Sequence, residues 1–298
     1  EHKVPISTSS VFDIASVSKQ FVGYSVAKLI INKQLSLQDE IQTYIPELPD
    51  FGHQITVGHL LYHQSGLRDW PGTMKLGGVD FDDVLTFEQL IEMVYRQKDL
   101  NFTPGSKYVY SNTGYNVLVE VIQRITKKPF RAWTKENIFN PLGMKDTFFK
   151  DQYNEFIPNA VSSYFKDDGK IYKSANNLTA LGSSSMQTTI DDMTKWLLHL
   201  DSQEAQNYVS LMQTTGVLTS GEETNYAYGL EIDTYNGLKR LYHSGEWASF
   251  TSYLAYLPDQ HFSVAVLMNY DSWPEGFAQE VINTYLKNEF IKESSGTG

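Results

Sequence analysis

With 298 residues the chain is long enough for a sizeable core and for two subdomains, and its 41% hydrophobic and 20% charged residues are the balance of a globular protein. A formal net charge of -11 argues against a nucleic-acid partner, which needs clustered Lys and Arg, and the lack of cysteine excludes disulfides, thiolate nucleophiles and Cys-type zinc sites. No apolar run approaches the roughly 18 residues of a membrane span, no signal peptide is visible, and the many tyrosines and phenylalanines suit a cleft with aromatic walls.

In chain order, residues 16–34 predict a buried central helix. Phe21, Val22, Tyr24, Val26, Ala27, Leu29, Ile30 and Ile31 make it apolar on most faces. Residues 55–140 read as helices and loops punctuated by Pro104-Gly105, and residues 113–128 and 189–201 predict amphipathic helices. From about residue 224 the pattern changes. Segments 226–232, 238–245, 250–258 and 262–268 are short and rich in β-branched and aromatic residues. Tight turns such as Asn236-Gly237 and Pro258-Asp259 join them, so they predict an antiparallel meander. Residues 274–292 predict a closing helix, and the tail from Glu293 is expected to be disordered. There is no repeat and no low-complexity tract.

The chemistry starts at Ser16. Ser-x-x-Lys occurs three times, as Ser16/Lys19, Ser25/Lys28 and Ser163/Lys166. On a helix, residues three apart share a face, so a desolvated lysine amine can reach a serine hydroxyl one turn back and take its proton. Ser25 lies inside the helix and Ser163 in a charged, loop-like stretch. Only Ser16 lies at a helix start, where unpaired backbone N–H groups can stabilise an oxyanion. Alone, it reads as an N-cap serine. Two further elements occur once each: Tyr110-x-Asn112, and the triplet His243-Ser244-Gly245 at the end of a predicted strand. His53, His59 and His63 read as structural or surface histidines. There is no Gly-x-Ser-x-Gly elbow and no His/carboxylate cluster with metal spacing. Ser174-Ala-Asn176 and Asp191-Asp192 read as loop and helix-start chemistry.

Taken together, these three elements, in this order, make the chain resemble the serine β-lactamase-like family: class C β-lactamases, D-stereospecific peptidases, family VIII esterases and penicillin-binding proteins. Residues 60–67 (LLYHQSGL), 102–115 (FTPGSKYVYSNTGY) and 140–147 (NPLGMKDT) extend the likeness across roughly residues 5–290. The resemblance implies a single α/β (α+β) catalytic domain over 1–298. An antiparallel sheet, mainly 220–292, is flanked by helices, beside a helical subdomain at about 50–180. It implies that Ser16 is an acylated nucleophile and that Lys19 helps deprotonate it. Tyr110 would be the general base, its pKa lowered by Lys19. Asn112, His243, Ser244 and Gly245 would bind substrate, and the backbone N–H groups of Ser16 and Glu246 would form the oxyanion hole. No cofactor or metal is called for. The partner would be a small-molecule or peptide substrate, and the location periplasmic, secreted or envelope-associated in a bacterium.

Two departures shape the expectation. The third motif carries His243 where β-lactamases have a lysine, which favours an ester or D-peptide substrate over a dedicated lactam. The family's helix and two strands before the nucleophile have no counterpart here, so a sheet edge beside the last helix is expected to be bare. Rival readings are a penicillin-binding or sensor protein on the same fold with slow or no turnover, and a Ser-His-Asp hydrolase using His243.

Overall fold

The computed structural model describes residues 4–290, so the expected disordered tail lies outside the described residues. The central helix spans Lys19–Ile31, preceded by a 3-10 turn at Ala15–Ser18 that carries Ser16. Most of it is buried: Phe21, Val22, Val26 and Ala27 are inaccessible, whereas Ile31 at its end is exposed, and the Phe21 ring lies 4.3 Å from that of Trp196 on the helix Ile190–Leu200. Each fully buried side chain of this size contributes roughly 1.5–3 kcal/mol. The helix Asn112–Thr126 packs beside it. Ser111 is its N-cap and accepts from Gly114 N, and Thr189 likewise caps Ile190–Leu200.

The main sheet has five antiparallel strands in simple meander order: Tyr226–Ala227, Leu230–Tyr235, Leu238–Trp247, Phe250–Leu257 and Phe262–Met268. Alternation decides its two faces. Leu254 and Tyr256 point to the central helix cluster, whereas Tyr253, Ala255 and Leu257 pack with Ala278 and Ile282 of the closing helix Pro274–Leu286. Phe262–Met268 is the last strand in the order and, among the described residues, pairs with a strand on one side only. The Asn236-Gly237 turn has both residues at positive φ, as a tight hairpin requires.

Two local expectations are corrected. Segment 226–232 is not one strand: it breaks at Tyr228-Gly229, both with positive φ. A Cβ on Gly229 would stand 2.4 Å from the carbonyl carbon of Lys19, so this turn rests on the start of the central helix. The charged stretch around Ser163 is not a plain loop. Tyr164–Asp167 and Lys170–Lys173 pair as a hairpin through Asp168-Gly169, with the Phe165 and Tyr172 rings stacked at 5.5 Å. A three-stranded sheet of very short strands (Phe12–Asp13, Met186–Thr188, Phe148–Phe149) holds the chain just before Ser16.

Candidate active site

The turn bearing Ser16 is locally strained. Ala15 has φ +45, which a residue with a Cβ adopts only under constraint. The constraint comes from Asp13. Its carboxylate accepts from Ala15 N at 2.9 Å and from the side-chain amides of Asn176 and Gln187 at 3.0 and 2.8 Å. Asn176 is thus a support for the turn.

Lys19, one turn on, is wholly buried. Its three N–H donors are all used: to Ser16 Oγ at 2.8 Å, Asn112 Oδ1 at 2.9 Å and the Ser183 carbonyl at 2.8 Å. Desolvation lowers its pKa to about 7, opposed by the charge of Asp69. Asp69 was not singled out by sequence. It accepts from Asn112 N at 2.7 Å, Thr113 N at 3.2 Å and Asn112 Nδ2 at 3.1 Å, placing a carboxylate at the positive end of the helix Asn112–Thr126. The Asn112 side chain, expected to bind substrate, is held at both ends, by Lys19 and by Asp69. In sequence, Asp69 before Trp70-Pro71 reads only as a helix start. Its approach to Asn112 is a tertiary event.

Tyr110 lines the cleft beside Ser16, and Lys19 Nζ lies 5.0 Å from the centre of its ring. The expected direction of its pKa is reversed. Burial raises it far above the ordinary phenol value, and the neighbouring Ser16 hydroxyl offsets this only in part. The physical reason is that Lys19 bonds to Ser16, Asn112 and Ser183 rather than to the phenol oxygen, and itself loses charge near neutral pH. His63 backs the Tyr110 ring at 4.3 Å, and its Nδ1 accepts from Ser111 N at 3.0 Å. It is a support, and Ser65 accepts a backbone N–H instead of pairing with it. The other Ser-x-x-Lys serines are occupied locally: Ser25 Oγ donates to the Phe21 carbonyl and Ser163 Oγ to the Ala248 carbonyl.

His243 corrects a second expectation. It is 3% exposed and does not line the cleft. Nδ1–H donates to the Ser244 carbonyl, and Nε2 accepts from the Tyr226 hydroxyl at 3.0 Å. Burial, with Lys19 nearby, lowers its pKa to about 3. It is therefore a neutral part of an aromatic wall. Among the described residues no carboxylate bonds its ring, so the ring lacks the acid partner a Ser-His-Asp arrangement needs. Ser244 is exposed on the strand, and Gly245 packs on the Ser16 turn.

Ser16, Tyr110, Asn112, Ser183, Ser184, Trp70, Pro71, Glu246 and Trp247 line one cleft of about 230 Å³. A larger cavity, about 1010 Å³, lies between the helices Trp70–Leu76 and Phe87–Tyr95 and contains neither Ser16 nor Lys19. Ser16, Tyr110 and Asn112 line the smaller one. Among the described residues no His, Asp or Glu cluster could hold a metal ion.

Gly245 has no room for a side chain. A Cβ there would meet the Ile14 carbonyl at 2.3 Å, Ser252 Oγ at 2.5 Å and Ser16 N at 3.0 Å. Gly245→Ala is expected to push the strand Leu238–Trp247 off the Ser16 turn, costing about 1–3 kcal/mol of stability and roughly 10²-fold in turnover. Urea unfolding with parallel ester assays checks both. A variant with wild-type activity would show that this packing does not position Ser16.

Comparisons with known proteins agree on one lineage. Residues 1–286 match the family model Beta-lactamase. The chain is 27% identical over 299 residues to protein flp of Staphylococcus aureus (strain MRSA252), covering 97% of this chain and 58% of that protein. It is 23% identical over 297 residues to D-aminopeptidase of Gluconobacter oxydans, covering 99% and 56%. It thus spans less than two thirds of these relatives' length. Among solved structures, an octameric penicillin-binding protein homologue from Pyrococcus abyssi superposes with a TM-score of 0.83 at 25% identity, covering 96% of this chain and 68% of that one. D-amino acid amidase from Ochrobactrum anthropi, with L-phenylalanine bound, gives 0.78 at 23%, covering 96% and 88%, and shows the shared fold.

Proposed function

This chain belongs to the beta-lactamase family, and from that premise we propose that it is a serine hydrolase cleaving an ester or amide through an acyl-Ser16 intermediate. The observation that carries the reading is the buried Lys19 amine, 2.8 Å from Ser16 Oγ with a pKa lowered to about 7. A lysine of that kind is neutral in a substantial fraction of molecules at neutral pH and can act as a base.

In the proposed reaction Ser16 Oγ attacks the carbonyl carbon and its proton passes to Lys19 Nζ. The backbone N–H groups of Ser16 and Glu246 stabilise the oxyanion. As the bond to the leaving group breaks, the Tyr110 hydroxyl donates a proton to it, and the phenolate then takes the proton held by Lys19 Nζ, which acylation of Ser16 Oγ releases from its bond to that oxygen. Water then attacks the acyl-enzyme, giving its proton to Lys19. Ser16 leaves with that proton and the carboxylic acid is released. Tyr110 therefore acts as a protonated relay, as its raised pKa supports, rather than as a resting phenolate. Asn112 and Asp69 hold Lys19 in place.

The substrate class follows from charge. Lys19 is enclosed, and among the described residues no cationic side chain lines the cleft, so a substrate carboxylate finds no charged partner there. An ester or a peptide amide is favoured over a carboxylate-bearing lactam. The named D-aminopeptidase relative supports the amide branch. No helix among the described residues is long and apolar enough to cross a membrane. A place in a bacterial envelope is part of this proposal, supported by the bacterial relatives.

The test is covalent labelling. Exposure to a fluorophosphonate, followed by peptide mapping, is expected to place one adduct on Ser16. An adduct on Ser25, Ser163 or Ser244 would overturn the assignment. Acylation without turnover of a p-nitrophenyl ester would favour the penicillin-binding or sensor reading instead.

A further inference from the structure

The cavity of about 1010 Å³ between the helices Trp70–Leu76 and Phe87–Tyr95 is separate from the Ser16 cleft, yet one short helix serves both. Trp70 and Pro71 line the cleft, whereas Thr73 and Met74 line the cavity. Its volume is at the upper end of the range for small-molecule sites. Part of its wall is apolar: Met74, Val79, Leu85 and Met93 belong to the cluster packed around Trp70. That cluster gives an organic molecule a surface on which to leave water.

The polar part of the wall has an excess of donors. Gln97 lines the cavity and is 7% exposed. Its Oε1 accepts from Arg68 N at 3.2 Å, which fixes the amide and leaves Nε2 a buried donor with no acceptor among the described residues. The same bond sets Arg68 beside Gln97 in this wall. Neither the Arg68 guanidinium nor the Lys98 amine, which also lines the cavity, has an ion pair or hydrogen bond among the described residues. The third cation, Arg96, is taken by Glu92 at 2.8 Å. Of the remaining carboxylates, Asp83 accepts from Asp80 N at 3.1 Å, and Asp99 is the one without a partner among the described residues. Two unpaired cations and a spare amide N–H against one unpaired carboxylate suit an anion, and a guanidinium suits a carboxylate above all.

We propose that this cavity binds an apolar monocarboxylate of the fatty-acid class, its carboxylate on the Arg68 guanidinium and its chain along Met74, Val79, Leu85 and Met93. The site is distinct from the Ser16 cleft and does not rest on the acyl-Ser16 reading.

The test compares head groups on one chain. Octanoate, 1-octanol and octyltrimethylammonium are titrated by calorimetry into the Ser16→Ala protein, in which turnover contributes no heat. Octanoate is expected to bind at least about tenfold more tightly than either of the others, and Arg68→Gln is expected to bring it to within about threefold of octanol. Arg68 is exposed, so its replacement leaves the core intact. Met74→Trp, which fills the apolar part, is expected to weaken octanoate and octanol together. No saturable binding of octanoate, binding no tighter than that of octanol, or tighter binding of the ammonium overturns the proposal. So does an octanoate affinity unchanged in Arg68→Gln, which would place the anion elsewhere on the protein, the Ser16 cleft included.

Discussion

Ser16→Ala is expected to lower ester turnover by on the order of 10⁴-fold or more, leaving the protein folded. The hydroxyl is the atom that would form the acyl bond, and it differs from the other cleft serines in its bond to Lys19 Nζ, which meets Ser183 only at the carbonyl. Tyr110 holds its proton, and the other Ser-x-x-Lys serines donate to backbone carbonyls elsewhere. The structural cost is small. Lys19 loses one of three acceptors but keeps Asn112 and the Ser183 carbonyl. One such hydrogen bond is worth about 1 kcal/mol net, or somewhat more to a charged group. Thermal unfolding beside a p-nitrophenyl ester assay reads both quantities. Turnover within tenfold of wild type would show that another residue carries the chemistry.

Lys19→Met and Tyr110→Phe should each cost about 10²–10⁴-fold in kcat. The double variant should be far less than multiplicative, because one proton passes through both groups. A pH profile adds a readout that a merely structural role would not move. Lys19 accepts a proton only when neutral, and its pKa is lowered to about 7. In the wild type kcat/KM should therefore rise with pH through an ascending limb near 7, flattening above it. Residual activity of Lys19→Met should lack that limb, whereas Tyr110→Phe should retain it at lower amplitude. Fully multiplicative losses, or a limb unchanged in Lys19→Met, would exclude Lys19 as the base.

Much of the fold was legible in the chain because it depends on local periodicity. A stretch apolar on most faces had to become a largely buried helix. Alternating segments ending in Asn236-Gly237 had to become hairpins. The hairpin around Asp168-Gly169 carried the same turn signal, yet the surrounding charges masked it, since Lys166, Asp167, Lys170 and Lys173 stand on a solvated strand pair. The break at Tyr228-Gly229 had a single glycine as its local signal, and what holds it is tertiary: the turn meets the first residue of the central helix.

The site divides along the same line. Ser16 and Lys19 are neighbours by helix geometry, and Tyr110 and Asn112 were marked by an unrepeated motif, so sequence by itself determined which residues to examine. It could not determine their states. Whether Lys19 is a base depends on how completely it is buried, and that is decided by Asn112, Ser183 and Asp69, which lie 50 to 164 positions away in the chain. Whether His243 meets a substrate depends on which side of a strand faces the cleft, and the fold turned it inward against Tyr226. Desolvation and charge fall off with distance in space, whatever the separation along the chain. Residue identity was therefore readable in one dimension, while protonation and access were settled only when the chain closed around them.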